Sequence, residues 1–445
     1  MSALMTSRWL CGFLGVLCHV TLADSVADTR SAPAADEQQL PRAVHSKMSE
    51  KPHVTVGRAE ADIVGADNRA LQAAVDYIAS LGGGMVEIGE GEFVMRDSLH
   101  LRSHVTVRGK RPGTVLRKAA GADSRLELDG DYGEEQITLA LPEGFDVGCG
   151  VAIWDDNAEG FHVTVARITG RNGRTVSLDR PLGSDYMVRD NARAATVFPV
   201  ISAQNTEDAA IEGLTVEGSR DQNAVLGGCR GAAIYLYRAF GTVIRGCIAR
   251  HFNGDGISFQ ASNDVLVENC ISEQNAGLGL HPGSGSQRAV IRGCIARENG
   301  EDGLYLCWRV RHGLFENNRL ENNGRHGISI GHKDSDNLLR ENTVRENARD
   351  GVYFRAENLG MAPHRNRIEK NIVENNGREN TVAGIRVRGE VLGLVFIDNT
   401  IRDTRPAGLR KQKTGILIEK EVREITLKDN RIDCETELVD QRSRQ

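Results

Sequence analysis

The chain reads as an all-β parallel β-helix with an N-terminal capping helix and a small inserted antiparallel β region. Three observations predict it. From about residue 200 the sequence repeats itself, with Gly256-Ile257-Ser258-Phe259, Gly279-Leu280-His281-Pro282, Gly303-Leu304-Tyr305-Leu306, Gly327-Ile328-Ser329-Ile330 and Gly351-Val352-Tyr353-Phe354 at steps of 23, 24, 24 and 24. Asn275, Asn299, Asn323 and Asn347 recur in phase with them, as residues stacked at the bends of successive coils would. Only residues 68–81 show helical spacing, so the repeat units are strands and turns rather than helix pairs. Each coil then pairs in parallel with the next, about 4.8 Å away.

Taken in order, residues 1–23 read as a secretory signal: Arg8, an apolar run from Trp9 to Leu22, and small residues before a cleavage point at Ala23. The run is too short for a membrane span. Residues 24–53 are rich in Ser, Ala, Asp and Gln without period and read as a flexible leader. Residues 54–120 hold the cap and first coils. Asp67 caps a helix whose Leu71, Val75, Ile78 and Leu81 share a face, and Gly82-Gly83-Gly84 ends it. Residues 121–200 break the repeat; Ile137–Leu141, Val151–Trp154, His162–Ile168 and Thr175–Leu178 alternate between turn residues, as an antiparallel insertion would. The repeats fill 201–435, with longer steps of 33 and 31 to Gly384 and Gly415, and 436–445 remain as a tail.

Composition narrows the function. The formal charge is −6, and near −7 without Arg8, which excludes nucleic-acid binding driven by overall charge. Beyond the signal, seven cysteines remain. Cys247, Cys270 and Cys294 recur at 23 and 24 residues, which fits a buried stack of small apolar groups rather than disulfides or a zinc site. A secreted or periplasmic chain without a membrane span follows; oligomeric state is not legible.

Stacking aligns equivalent residues into columns. The residue before each repeated Gly is Asp255, Leu278, Asp302, His326, Asp350 and then Ala383. Three further along are Ser258, His281, Tyr305, Ser329, Tyr353 and Arg386, and nearby lie Trp308, Arg325 and Arg355. Apolar packing requires none of these polar types, and together they predict an outward strip about 20 Å long, suited to a polymer. Each Asp before Gly is also an ordinary turn residue. His332-Lys333-Asp334-Ser335-Asp336-Asn337 has the look of a cation loop but lacks the Gly and distal Glu of an EF-hand, so a plain turn is the reading. No metal ligand set is assigned and no cofactor is required; calcium stays open.

The run from Gly279-Leu280-His281-Pro282 through Asp302-Gly303 to Arg325-His326-Gly327 resembles the catalytic coils of mannuronan 5-epimerases and related alginate lyases. Those carry Asp-Pro-His, Asp-Gly and Arg-His-Gly in successive coils; here His281-Pro282-Gly283 stands at the first, and Leu278 stands where the family has a tyrosine. Arg325-His326-Gly327 and Arg386-Val387-Arg388 are more loosely similar to polygalacturonase motifs, whose paired aspartates are missing. The helix and Gly-Gly-Gly turn resemble the opening of the pectate-lyase-like superfamily, which implies a right-handed, single-stranded β-helix. The resemblance implies lyase- or epimerase-type proton abstraction on an acidic, uronic-acid-containing polysaccharide. His326 is then the base, Asp302 orients it, and Tyr305 or His281 gives a proton. Arg325 or Arg355 meets the sugar carboxylate, and Trp308, Tyr353 and Arg386 contact sugar. Two alternatives stand beside it: a polygalacturonase-like hydrolase using Asp302 and Asp350, and a non-catalytic glycan-binding or structural β-helix.

Overall fold

A computed structural model describes residues 50–157 and 160–442. The proposed signal and nearly all of the proposed leader lie outside these residues. Among them, the chain winds through three long parallel sheets, one short strand per sheet per coil. One coil shows the scheme: Asp255–Gln260 lies in one sheet, Leu266–Glu268 in the next and Ile271–Glu273 in the last. The next coil repeats it in register, with Ile257 beside Leu280, Val267 beside Ile291 and Ser272 beside Ala296. The sheet containing Asp255–Gln260 carries the candidate residues and is called the site sheet below.

The inward residues form one continuous core, from Leu71 and Val86 near one end through Ile257, Phe259, Phe315 and Phe354 to Ile416 and Ile418. At one corner of the coils the asparagines form a ladder. Asn275 Nδ2 donates to Asn299 Oδ1 at 3.0 Å, Asn299 to Asn323 at 3.0 Å and Asn323 to Asn347 at 2.9 Å. Each Oδ1 also accepts a backbone N–H from the preceding coil, as Asn323 does from Asn299 at 3.2 Å. These buried amides satisfy turn groups that strand pairing leaves open.

The cysteines stack as expected, and all seven described thiols are free. Cys247, Cys270 and Cys294 occupy the place of a second amide ladder. The backbone N–H of Cys294 donates to Asn318 Oδ1 at 2.9 Å, and Asn318 continues to Asn342 and Asn371. Thiol and amide are thus interchangeable fillers of one corner, the thiol being the apolar version.

The capping helix spans Asn68–Ser80, and Asp67 accepts from the backbone N–H of Arg69 and Ala70. Leu71, Ala74, Val75 and Ile78 are buried against the first coils. Leu81, expected on that face, is instead the C-cap and is exposed, because the turn to Gly82 at φ +86° has already begun. The insertion is an antiparallel sheet of Asp123–Arg125, Arg193–Ala195, Gly150–Trp154, Thr164–Asn172, Thr175–Leu178 and Gln136–Thr138, in that order. It has its own core around Ile137, Phe145, Val151, Ile168 and Tyr186. At the far end Thr436–Asp440 pairs with Gln412–Ile418, so strand stacking continues into residues the sequence leaves as a tail. No helix among the described residues is long and apolar enough to cross a membrane.

Candidate active site

Strand register fixes the outward column of the site sheet. Ser202, Tyr235, Ser258 and His281 follow one another on successive strands. Leu280 pairs with Leu304, which sets His281 beside Tyr305; Ser329, Tyr353 and Arg386 continue the line. The repeated glycines make the close stacking possible. A Cβ on Gly303 would lie 2.7 Å from Asn323 Nδ2 and 2.8 Å from the Gly327 carbonyl oxygen. Any side chain there would push the strand off the ladder.

The column before those glycines is buried, which corrects the expectation of an outward strip. His326 is 4% exposed, Asp302 0% and Asp350 5%. The reason is the layer above them. The Tyr353 ring lies flat on the His326 ring, with centroids 4.1 Å apart and planes within 4°. Tyr305 meets His281 edge-on at 5.4 Å, and His281 is buried too.

The aspartates of that column share one structural task. Asp255 Oδ1 accepts the backbone N–H of Leu278 at 2.9 Å, Asp302 that of His326 at 2.7 Å, and Asp350 that of Ala383 at 2.8 Å. Asp302 therefore holds the main chain of His326 and does not orient its ring. The imidazole instead faces Asp350, with Nδ1 3.6 Å from Oδ2, too far for a hydrogen bond. Among the described residues, His326 Nδ1 and Asp302 Oδ2 are both buried without a hydrogen-bond partner. His281 differs: its Nδ1 is 2.7 Å from Asp255 Oδ2, and its Nε2 lies 3.5 Å from Gln260 Nε2.

Burial sets the protonation states. It pushes His326 down to about 3, helped by the Arg325 and Arg349 guanidiniums, so the ring is neutral at ordinary pH. Burial pushes Asp302 up to about 6 against the pull of Arg325 and the His326 amide. It also raises Tyr305, whose phenol stays protonated although Arg355 opposes the shift.

The cations are more committed than the sequence suggests. Arg355 turns back across two coils: it donates to the Leu306 carbonyl at 2.6 Å, Ser329 Oγ at 2.9 Å and Asp334 Oδ2 at 3.2 Å. Its guanidinium lies 4.3 Å over the Tyr305 ring. It props Tyr305, and its charge is met by Asp334. Arg386 is paired with Glu419 at 2.7 Å, and Arg388 donates to the Tyr353 hydroxyl at 2.7 Å. Among the described residues Arg325 has only Glu301 at 4.0 Å, and its Nε is unpartnered, so it is the cation best placed to meet an anion. Trp308 is 43% exposed and stacks on His332 at 4.9 Å. In the loop with the look of a cation site, Asp334 is held by Arg355 and Asp336 by Arg365.

Two features escaped the sequence reading. The insertion leans over the first strands of the site sheet and encloses a cleft of about 240 Å³ lined by Arg180, Gln204, Arg230, Tyr235 and Tyr237. Beside it, Asp97, His100 and Ser202 are joined by hydrogen bonds. Some hundred residues separate His100 from Ser202, and only coil stacking across the insertion makes them neighbours.

Comparison with known proteins agrees with this architecture. The family described as right handed beta helix region matches residues 199–308, 232–401 and 310–437. No curated protein matches significantly in sequence. Among solved structures, the A-module of the Azotobacter vinelandii mannuronan C-5 epimerase AlgE4 superposes with a TM-score of 0.53 at 16% identity, covering 86% of this chain and 97% of that one. The A-module of AlgE6 from the same organism gives 0.53 at 12%, covering 85% and 93%. A polygalacturonase from Erwinia carotovora ssp. carotovora gives 0.51 at 13%, covering 88% and 97%. At these identities the likeness is one of fold. With the family match spanning more than half of its length, the chain belongs to the right-handed β-helix family.

Proposed function

We propose that this chain is an exported, carbohydrate-active β-helix enzyme that abstracts the proton beside the carboxylate of a uronic-acid-containing polysaccharide, as a lyase or epimerase. The observation that carries the reading is His326: a buried, neutral imidazole whose Nδ1 has no partner, next to a guanidinium that is nearly free. A base needs an available lone pair, and a carbanion beside a carboxylate needs a cation. Arg325 supplies that charge. Tyr305, protonated through burial, suits the group that returns a proton to the sugar or to its leaving oxygen. His281 suits this less, since Asp255 engages its Nδ1. Tyr353 covers His326, so substrate enters by displacing that ring. The fold shared with mannuronan C-5 epimerase modules supports a polymeric uronate as the substrate class.

Glycoside hydrolysis is the second reading, favoured by Asp302, which at about 6 is partly protonated near neutrality, as a leaving-group acid requires. The discriminating experiment incubates the purified chain with a panel of uronate polymers and follows absorbance of unsaturated ends together with reducing ends. Absorbance identifies a lyase. Reducing ends without absorbance identify a hydrolase, and binding without product identifies a glycan-binding protein.

A further inference from the structure

The cluster beneath the insertion is chemically distinct from the His326 site. Asp97 precedes the two-residue strand Leu99–His100, whose partner Ile201–Glu207 sets His100 directly beside Ser202. Ser202 Oγ lies 2.9 Å from His100 Nδ1, and His100 Nε2 lies 3.0 Å from Asp97 Oδ2. The direction of these bonds follows from the donors. An ionised carboxylate only accepts, so Nε2 carries the proton toward Asp97, and the lone pair of Nδ1 faces the serine hydroxyl. The His100 backbone is fixed as well, since Gln72 accepts its N–H at 2.8 Å and donates to its carbonyl at 3.1 Å. Gly150 makes room for Asp97; a Cβ there would sit 2.8 Å from Asp97 Oδ1.

From this geometry we propose that Ser202, His100 and Asp97 form a nucleophile, base and positioning carboxylate that hydrolyse a short O-acyl ester. The three line a cavity of only about 20 Å³, which excludes a long acyl chain and leaves the shortest acyl groups as the candidates. Arg167, Arg180 and Arg230 line the same cavity, and Arg180 and Arg230 also line the larger cleft next to it. Arg230 holds the Phe161 carbonyl through Nε and Nη2. Its Nη1 has no partner among the described residues and is the donor for a developing oxyanion. The insertion thereby acquires a role, because Arg167 and Arg180 come from it.

The step balances without a cofactor. Ser202 Oγ attacks the ester carbonyl as its proton passes to His100 Nδ1. The alcohol leaves with that proton, and an acyl-serine remains. Water then adds with His100 again as base, releasing the carboxylic acid and restoring the serine. This inference does not depend on the proton-abstraction reading, because it uses no residue of that site.

The test gives the full chain p-nitrophenyl acetate, follows nitrophenolate release, and maps acetyl groups by peptide mass after an acid quench. The expected result is turnover with acetyl on Ser202. Ser202→Ala and His100→Gln should each lose about 10²-fold or more in rate. Ser80→Ala, an exposed serine at the end of the capping helix, should react as wild type. Asp97 acts through His100, so Asp97→Asn should lower kcat while leaving KM little changed, and Asp97→Glu, which keeps the carboxylate, should restore part of the rate. Absence of acetyl on Ser202 in the folded wild-type chain would overturn the proposal. So would acetylation confined to a buried amine such as Lys118, which burial pushes down to about 7. The mapping on wild-type protein keeps the test valid even if a variant does not fold.

Discussion

His326 combines two demands that usually conflict. It is buried under Tyr353, yet its Nδ1 is left without a partner. Burial changes what its substitution should do. As a surface residue it could be replaced at little cost, but a stacked and enclosed ring cannot. His326→Asn should lower stability by about 1–3 kcal/mol, the range for a buried change that still folds, and should lower turnover on a uronate polymer by about 10²–10⁴-fold. Thermal unfolding and product formation on one preparation measure both. A variant that melts as wild type and turns over normally removes His326 from the mechanism. Asp302 gives a second prediction, through pH. Its folded pKa, about 6, lies above its unfolded value, so its contribution to stability is fully present below about 4 and is lost as pH rises through about 6. Asp302→Asn has no proton to exchange. The difference in melting temperature between variant and wild type should therefore change between pH 4.5 and pH 7.5, with wild type relatively favoured at the lower pH. A constant difference would mean that Asp302 titrates normally.

At the scale of the element, the coil is held at its corners and along its outer edges by different devices. Asn323 accepts from both the backbone N–H and Nδ2 of Asn299, and donates to the Ala296 carbonyl and Asn347. Asn323→Ala leaves several of these buried groups unpaired and should cost about 3 kcal/mol. Arg288→Ala, which breaks an exposed pair with Asp264, should leave the melting midpoint unchanged. Equal effects in urea unfolding would contradict the corner account. The asparagine period was legible from sequence because one position per coil must be an amide. The continuity of cysteine and asparagine in the other ladder was not, since it equates residues that share only size and burial. The buried aspartate column was misread for a related reason. Asp before Gly marks a turn whether the turn faces water or lies under the next side chain, and Tyr353 covering His326 comes from the neighbouring coil.

Over the whole molecule, stacking like residues would also stack like charges, and the sequence avoids this by alternation. In one sheet Glu212, Arg245, Glu268, Arg292, Glu316 and Arg340 follow strand by strand. In another, Glu217, Arg250, Glu273, Arg297, Glu321 and Arg345 do the same. The site sheet lacks such a ladder, and its outward column carries serine, histidine and tyrosine instead. That contrast is why we propose it as the working face. It was visible in the repeat alone, whereas the cleft under the insertion was not, because a region off the repeat gives no register to its neighbours. A chain of this kind should show a circular dichroism spectrum dominated by β structure, since the described residues hold one α-helix of 13 residues; helix content near the soluble average of about 30% would contradict it. The most direct test of proton abstraction on this face is deuterium exchange. Uronate polymers incubated with the chain in D₂O, then read by proton NMR, report the fate of the hydrogen on the carbon beside the carboxylate. The account predicts loss of that signal, through elimination in a lyase or replacement by deuterium in an epimerase, and its retention with His326→Asn. Chain cleavage with that hydrogen intact, or no change on any uronate polymer, would contradict it.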